Sequence, residues 1–173
     1  MQERDTTTAP KGAGTLGVSG DGVFRIHFDR HLAHPVEKVW TALTDDRTRA
    51  VWLDGVRIDA RPGGTVAYDF GEEGTATGEV LSVHGPSADD PAAELVHTWQ
   101  WEGVPDSVVT WRLEGGEGGT RLQLTHSELV REPARDFAVG WHIILDSADL
   151  HLSGGDPGAA WEAYEEVAGH YAA

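Results

Sequence analysis

The chain has 173 residues, 13 Lys+Arg against 29 Asp+Glu for a formal charge of −16, and no cysteine. That length fits one domain; the scattered acidic surplus repels phosphate backbones and anionic membranes, so neither nucleic acid nor membrane is an expected partner. The missing Cys excludes disulfide and thiolate chemistry, no apolar run approaches the ~20 residues that cross a bilayer, and "MQERDTTTAPKGAG" lacks the apolar core of a signal peptide, which together point to the cytoplasm.

Residues 1–20, rich in Thr, Gly and Ala without periodicity, are expected to be a flexible leader. In "GVFRIHFDRHL", Phe24, Ile26 and Phe28 alternate with polar residues, as on a half-buried strand. "HPVEKVWTALTD" changes period: Val36, Val39, Trp40 and Leu43 make a helical stripe, with Pro35 at its start. "DDRTRAVWLDG" reads as a second short helix.

From Val56 to Leu129 strands and tight turns alternate. Val66, Tyr68 and Phe70 share a face in "TVAYDF", Val109, Trp111 and Leu113 in "SVVTWRLE", and Leu122, Leu124 and His126 in "TRLQLTHSEL". In "LVHTWQWEG", Leu95, His97, Trp99 and Trp101 share a face. The regular turn spacing predicts an antiparallel meander. "PARDFAVGWHIILDSADLHLSGG" then carries Ala138, Trp141, Leu145, Ala148 and Leu152 as one stripe flanked by Phe137 and Ile144, and Gly154 can stop the helix. A tail helix over 156–173, with Trp161, Tyr164, Ala168 and Tyr171 on one side, is expected to pack on the domain spanning 21–155.

Six or seven strands span roughly 30 Å, whereas one helix is only ~10–12 Å across. The sheet must therefore twist and wrap round the long helix, leaving an apolar space between them. Trp99, Trp101, Trp111 and Trp141 should point into it; the pattern does not decide whether it is filled or hollow.

Taken in order, "HPVEKVWTALTD", "RPGGTVAYDF", "GEVLSV", "LVHTWQWEG", "SVVTWRLE", "GGTRLQLTHSEL" and "GWHIILD" resemble the family named after the activator of heat-shock protein 90 ATPase, within the START-like (SRPBCC) superfamily. The resemblance covers roughly residues 22–152. It implies an α+β helix-grip fold, a curved antiparallel sheet around a long C-terminal helix, and a superfamily habit of binding hydrophobic ligands. One departure is "AVWLDG", with the single Trp52 where many members carry a Trp pair.

The ligand-binding candidates are Tyr68, Phe70, Trp99, Trp101, Trp111, Leu124, His126, Trp141 and Leu145. His126 faces inward and either anchors a ligand or acts as a base, or is a core histidine bonded to a backbone carbonyl. His97 is placed near a rim. Gly140, inside a helix at ~1 kcal/mol, suggests close backbone packing. Glu72 and Glu73 read as a charged turn. His27 and His31 lie ~13 Å apart on a strand, and His31 and His34 lack a third ligand, so no metal is expected, nor any cofactor. No nucleophile elbow and no acid–base carboxylate pair stands out, so no catalytic residue is assigned. The leading reading is a non-catalytic protein that binds a small hydrophobic or aromatic ligand. The alternatives are a cyclase/aromatase-type enzyme using His126 and Tyr68, and a cochaperone-like interaction module, although the sequence itself supports no chaperone contact.

Overall fold

A computed structural model describes residues 13–18, 24–129 and 131–171. The alternating segments form one eight-stranded antiparallel sheet. Its spatial order is β1 (Thr15–Val18), β2 (Phe24–Leu32), β8 (Gly119–Leu129), β7 (Val104–Gly116), β6 (Ala92–Trp101), β5 (Thr75–His84), β4 (Thr65–Asp69) and β3 (Val56–Ile58). From β3 to β8 the chain is a plain meander, as the turn spacing predicts. Between β2 and β3 stand α1 (Val36–Thr44) and α2 (Asp46–Trp52). Asp45 separates them and caps α2, its carboxylate accepting from the Thr48 N–H at 3.0 Å and the Thr48 hydroxyl at 2.8 Å.

Three register shifts bend the sheet: at Phe24/Ile26 in β2, Val80/Ser82 in β5 and Trp99/Trp101 in β6. At the first, Ile26 pairs with His126 while Phe24 pairs with Leu129, and Glu128 takes a left-handed φ of 63°. That extra residue lets His126 and Leu129 both face inward, which strict alternation forbids.

The inner face meets α3 (Arg131–Leu152). Ala138, Trp141, Leu145, Ala148 and Leu152 are buried as predicted, and so are Val139, Ile143 and Ser147 on other sides. A helix covered by strands on one side and by α1, α2 and the tail on the others can be apolar nearly all round. The helix ends where Gly154, at φ +83°, gives its N–H to the His151 carbonyl, and the Gly155 N–H reaches that of Leu150 at 2.7 Å.

Two expectations need correction. Thr15–Val18, read as leader, pairs with β2 from Thr15↔His27 to Val18↔Phe24, because β2 offers a free edge there. Residues 1–12 and 19–20 of that leader lie outside the described residues. The tail is two helices, α4 (Gly158–Glu162) and α5 (Tyr164–Tyr171), whose aromatic stripe divides. Tyr171 is buried, whereas Trp161 is 38 % and Tyr164 36 % exposed.

Tyr171 fastens the tail. Its hydroxyl oxygen accepts from the Gly14 N–H at 2.8 Å and lies 3.0 Å from His142 Nδ1. His142 Nε2 faces the Asp146 carboxylate at 3.4 Å, and Asp146 also accepts from Arg30 at 2.6 Å. One phenol thus links α5, α3 and the segment before β1. Tyr171→Phe keeps the ring and strands two polar partners, the buried His142 Nδ1 and the part-buried Gly14 N–H, so it is expected to lower stability by about 1–3 kcal/mol. Urea unfolding measures this; an unchanged midpoint would remove the phenol from any holding role.

Candidate functional site

The interior divides into a solid polar-aromatic centre and an open aromatic cleft. In the centre, Trp141 Nε1 donates to His126 Nδ1 at 2.9 Å. That nitrogen is therefore unprotonated, and His126 Nε2 carries the hydrogen and gives it to Ser107 Oγ at 2.8 Å. The Ser107 hydroxyl in turn faces the Trp99 carbonyl at 3.4 Å. Burial pushes the His126 pKa down to about 3, with a contribution from His97. A neutral imidazole with both nitrogens engaged is a structural link, a poor base at neutral pH. Its partners are an indole and a hydroxyl rather than the backbone carbonyl expected of a core histidine.

His97, expected near a rim, is fully buried. Its Nδ1 donates to the Thr98 carbonyl at 2.9 Å, so Nε2 accepts from the Tyr68 hydroxyl at 3.3 Å. Burial lowers the His97 pKa to about 4 and raises that of Tyr68 above the ordinary phenol value. The Trp111 indole is turned toward the Tyr68 oxygen without reaching hydrogen-bond geometry, and the Trp99 indole N–H is likewise buried without an acceptor among the described residues.

Beside this centre opens a cleft of about 470 Å³, within the usual range of ligand sites, ~300–1,000 Å³. Four elements build it. Phe70 and Glu73 come from the turn that follows β4, and Trp99 and Trp101 from the end of β6. Asp136, Phe137, Gly140, Trp141 and Ile144 come from α3, and Trp161 and Tyr164 from the tail. Trp99 and Trp101 lie nearly parallel, with centroids 6.4 Å apart, and Phe137 meets both edge-on at 5.4 and 5.5 Å.

Of the sequence candidates, Phe70, Trp99, Trp101 and Trp141 line the cleft. Tyr68, Trp111, Leu124, His126 and Leu145 sit behind them in the filled core, at 0–2 % exposure. The hollow-or-filled question has a split answer: Trp111 is core, Trp101 is wall, and Trp99 and Trp141 are both. The close packing expected at Gly140 is absent. A Cβ there meets nothing within 4 Å, so the missing side chain leaves room in the cleft. Glu73, Asp136, Phe137, Ile144, Trp161 and Tyr164 were not singled out as ligand residues; the aromatic stripe of the tail was the one usable signal. Among the described residues, no three His, Asp or Glu side chains converge as a metal site requires, and no helix is long and apolar enough to cross a membrane.

A bent antiparallel sheet gripping one long helix, with an aromatic cleft at the helix's side, defines a START-like helix-grip protein. The family model described as activator of Hsp90 ATPase homolog 1-like protein matches residues 33–152, and the chain belongs to that family. Among solved structures, CalU16 from Micromonospora echinospora is 28 % identical, with a TM-score of 0.68 over 93 % of this chain and 97 % of that one. A protein from Bordetella parapertussis is 26 % identical, with a TM-score of 0.65 over 95 % and 94 %. DynU16, described as a putative protein in the dynemicin biosynthetic locus, is 26 % identical, with a TM-score of 0.65 over 77 % of this chain and 49 % of that one. No curated protein matches the chain in sequence.

Proposed function

We propose that this protein binds a small aromatic or otherwise flat apolar ligand in the cleft. The observation that carries the reading is the lining itself: seven aromatic side chains around about 470 Å³, with a glycine where helix α3 passes the site. Such a space takes a planar ring system between Trp101, Phe137 and the tail aromatics. The description of DynU16 as belonging to a biosynthetic locus is in keeping with a small organic ligand. An enzymatic role resting on His126 and Tyr68 loses support, since both are buried behind the lining and already hydrogen-bonded.

The test uses N-phenyl-1-naphthylamine, a neutral apolar probe. Saturable one-to-one binding that quenches tryptophan emission and raises Tm is expected, because a ligand of the native state stabilises it by mass action. Gly140→Ala should keep the fold and stabilise α3 by up to about 1 kcal/mol. Gly140→Leu should remain folded and bind the probe far more weakly. A wild-type protein that shows no saturable binding defeats the reading.

A further inference from the structure

The lining of the cleft contains two carboxylates, Glu73 and Asp136, and no lysine, arginine or histidine. Neither carboxylate is in an ion pair among the described residues. Both act on the same ring: the Tyr164 phenol has its pKa raised by burial and then by the negative charges of Glu73 and Asp136. A second hollow of about 400 Å³ adjoins the first, sharing Phe70, Glu73, Trp161 and Tyr164 and adding Asp54 and Asp69. The acidic edge thus continues beyond the cleft. Trp161 and Tyr164, the most exposed Trp, Tyr or Phe side chains among the described residues, both stand at this shared wall.

Aromatic faces and carboxylates in one concavity favour a positive charge attached to a flat body. The ring quadrupoles attract a cation from one direction, and the carboxylates attract it from another. An anionic ligand meets only repulsion there, and a neutral one gains nothing from the charges. We propose that the cleft selects cationic aromatic amphiphiles, with the ring system against Trp99, Trp101 and Phe137 and an ammonium group at the mouth between Glu73, Asp136, Trp161 and Tyr164. This rests on the cleft being the ligand site.

Three probes of nearly one shape test it at physiological salt: 1-naphthylmethylamine, 1-naphthalenemethanol and 1-naphthylacetate. The ammonium is expected to bind about tenfold more tightly than the alcohol, and the carboxylate more weakly than either. The double variant Glu73→Gln with Asp136→Asn should erase that preference, read as the ratio of the ammonium's Kd to the alcohol's moving to about one. A control, Asp89→Asn with Glu117→Gln, removes the same charge from two exposed loops and should keep the preference, which separates local recognition from the attraction of a chain at −16 for any cation. If the alcohol binds as well as the ammonium, or if the control loses the preference equally, the charge selectivity is overturned while the ligand site stands. If none of the three binds while N-phenyl-1-naphthylamine does, the cationic preference is overturned and the ligand site stands; if that probe fails as well, the ligand site falls too.

Discussion

Truncation of Trp141 to alanine is expected to cost about 3–5 kcal/mol for the void alone. It should cost a further 1–3 kcal/mol for the His126 nitrogen left without a donor. The ring is 1 % exposed and meets Tyr68, Trp99, Trp111 and His126, with centroids 5.3–5.9 Å away. Domains of this size are stable by only about 5–15 kcal/mol, so the variant should be largely unfolded or melt far below the wild type. Trp141→Phe separates the two parts. It keeps most of the packing and removes the indole N–H, so a loss nearer the smaller figure is expected in urea unfolding. A Trp141→Ala protein with a nearly unchanged midpoint would mean that the ring is loosely held and the centre is not solid. Trp99→Ala should also carry a full core cost, because Trp99 is 2 % exposed and its ring touches the centre as well as the cleft. The void it leaves opens into the cleft, so probe affinity should change along with stability.

Trp99 and Trp141 show what the sequence discloses and what it hides. Period-2 alternation placed both the β6 and β8 faces correctly, and period 3.6 placed Trp141 on the buried stripe of α3, since these periods follow from backbone geometry. The order of elements, with one helix too narrow for the sheet, was enough to wrap the sheet round α3, and the family resemblance supplied the helix-grip fold. Alternation fails at Leu129, where a bulge and the left-handed Glu128 change parity without a glycine to announce it. It also cannot separate filled from hollow. Tyr68 and Trp101 are both inward positions, yet one lies in the core and the other at an edge, and the difference depends on how far the sheet curls and where the tail lands. Gly140 shows the same limit: helical context suggests a close neighbour, and only the assembled fold reveals open space. Arg49, buried at 1 % and donating to the Leu43 carbonyl at 2.8 Å, is a charged residue that no pattern would have put inside.

Stability is expected to fall steeply in mild acid, through His97 and His126. Unfolded, each titrates near the ordinary value of 6.5; folded, burial holds them at about 4 and about 3. Between those limits the unfolded chain binds more protons than the native one, so stability rises with pH across the window. The contribution is complete above about 6.5 and is lost as pH falls, until His97 near 4 and His126 near 3 take up protons in the native state as well. Two protons correspond to a slope of up to about 2.7 kcal/mol per pH unit, steep against a total of about 5–15 kcal/mol. The carboxylates held low, Asp146 among them, stay charged in both states until pH nears 4, so the upper part of the window belongs to the histidines. Urea unfolding at half-unit steps from pH 7 to 4.5 measures the slope directly. His97→Gln should be less stable at pH 7 and roughly halve the slope, because one of the two protons is gone. A stability that stays flat from pH 6.5 to 4.5 would mean that the two rings accept protons while folded, which the Trp141 N–H facing His126 Nδ1 leaves room for only if the centre opens, and which at His97 requires the Tyr68 hydroxyl to turn and accept at Nε2–H.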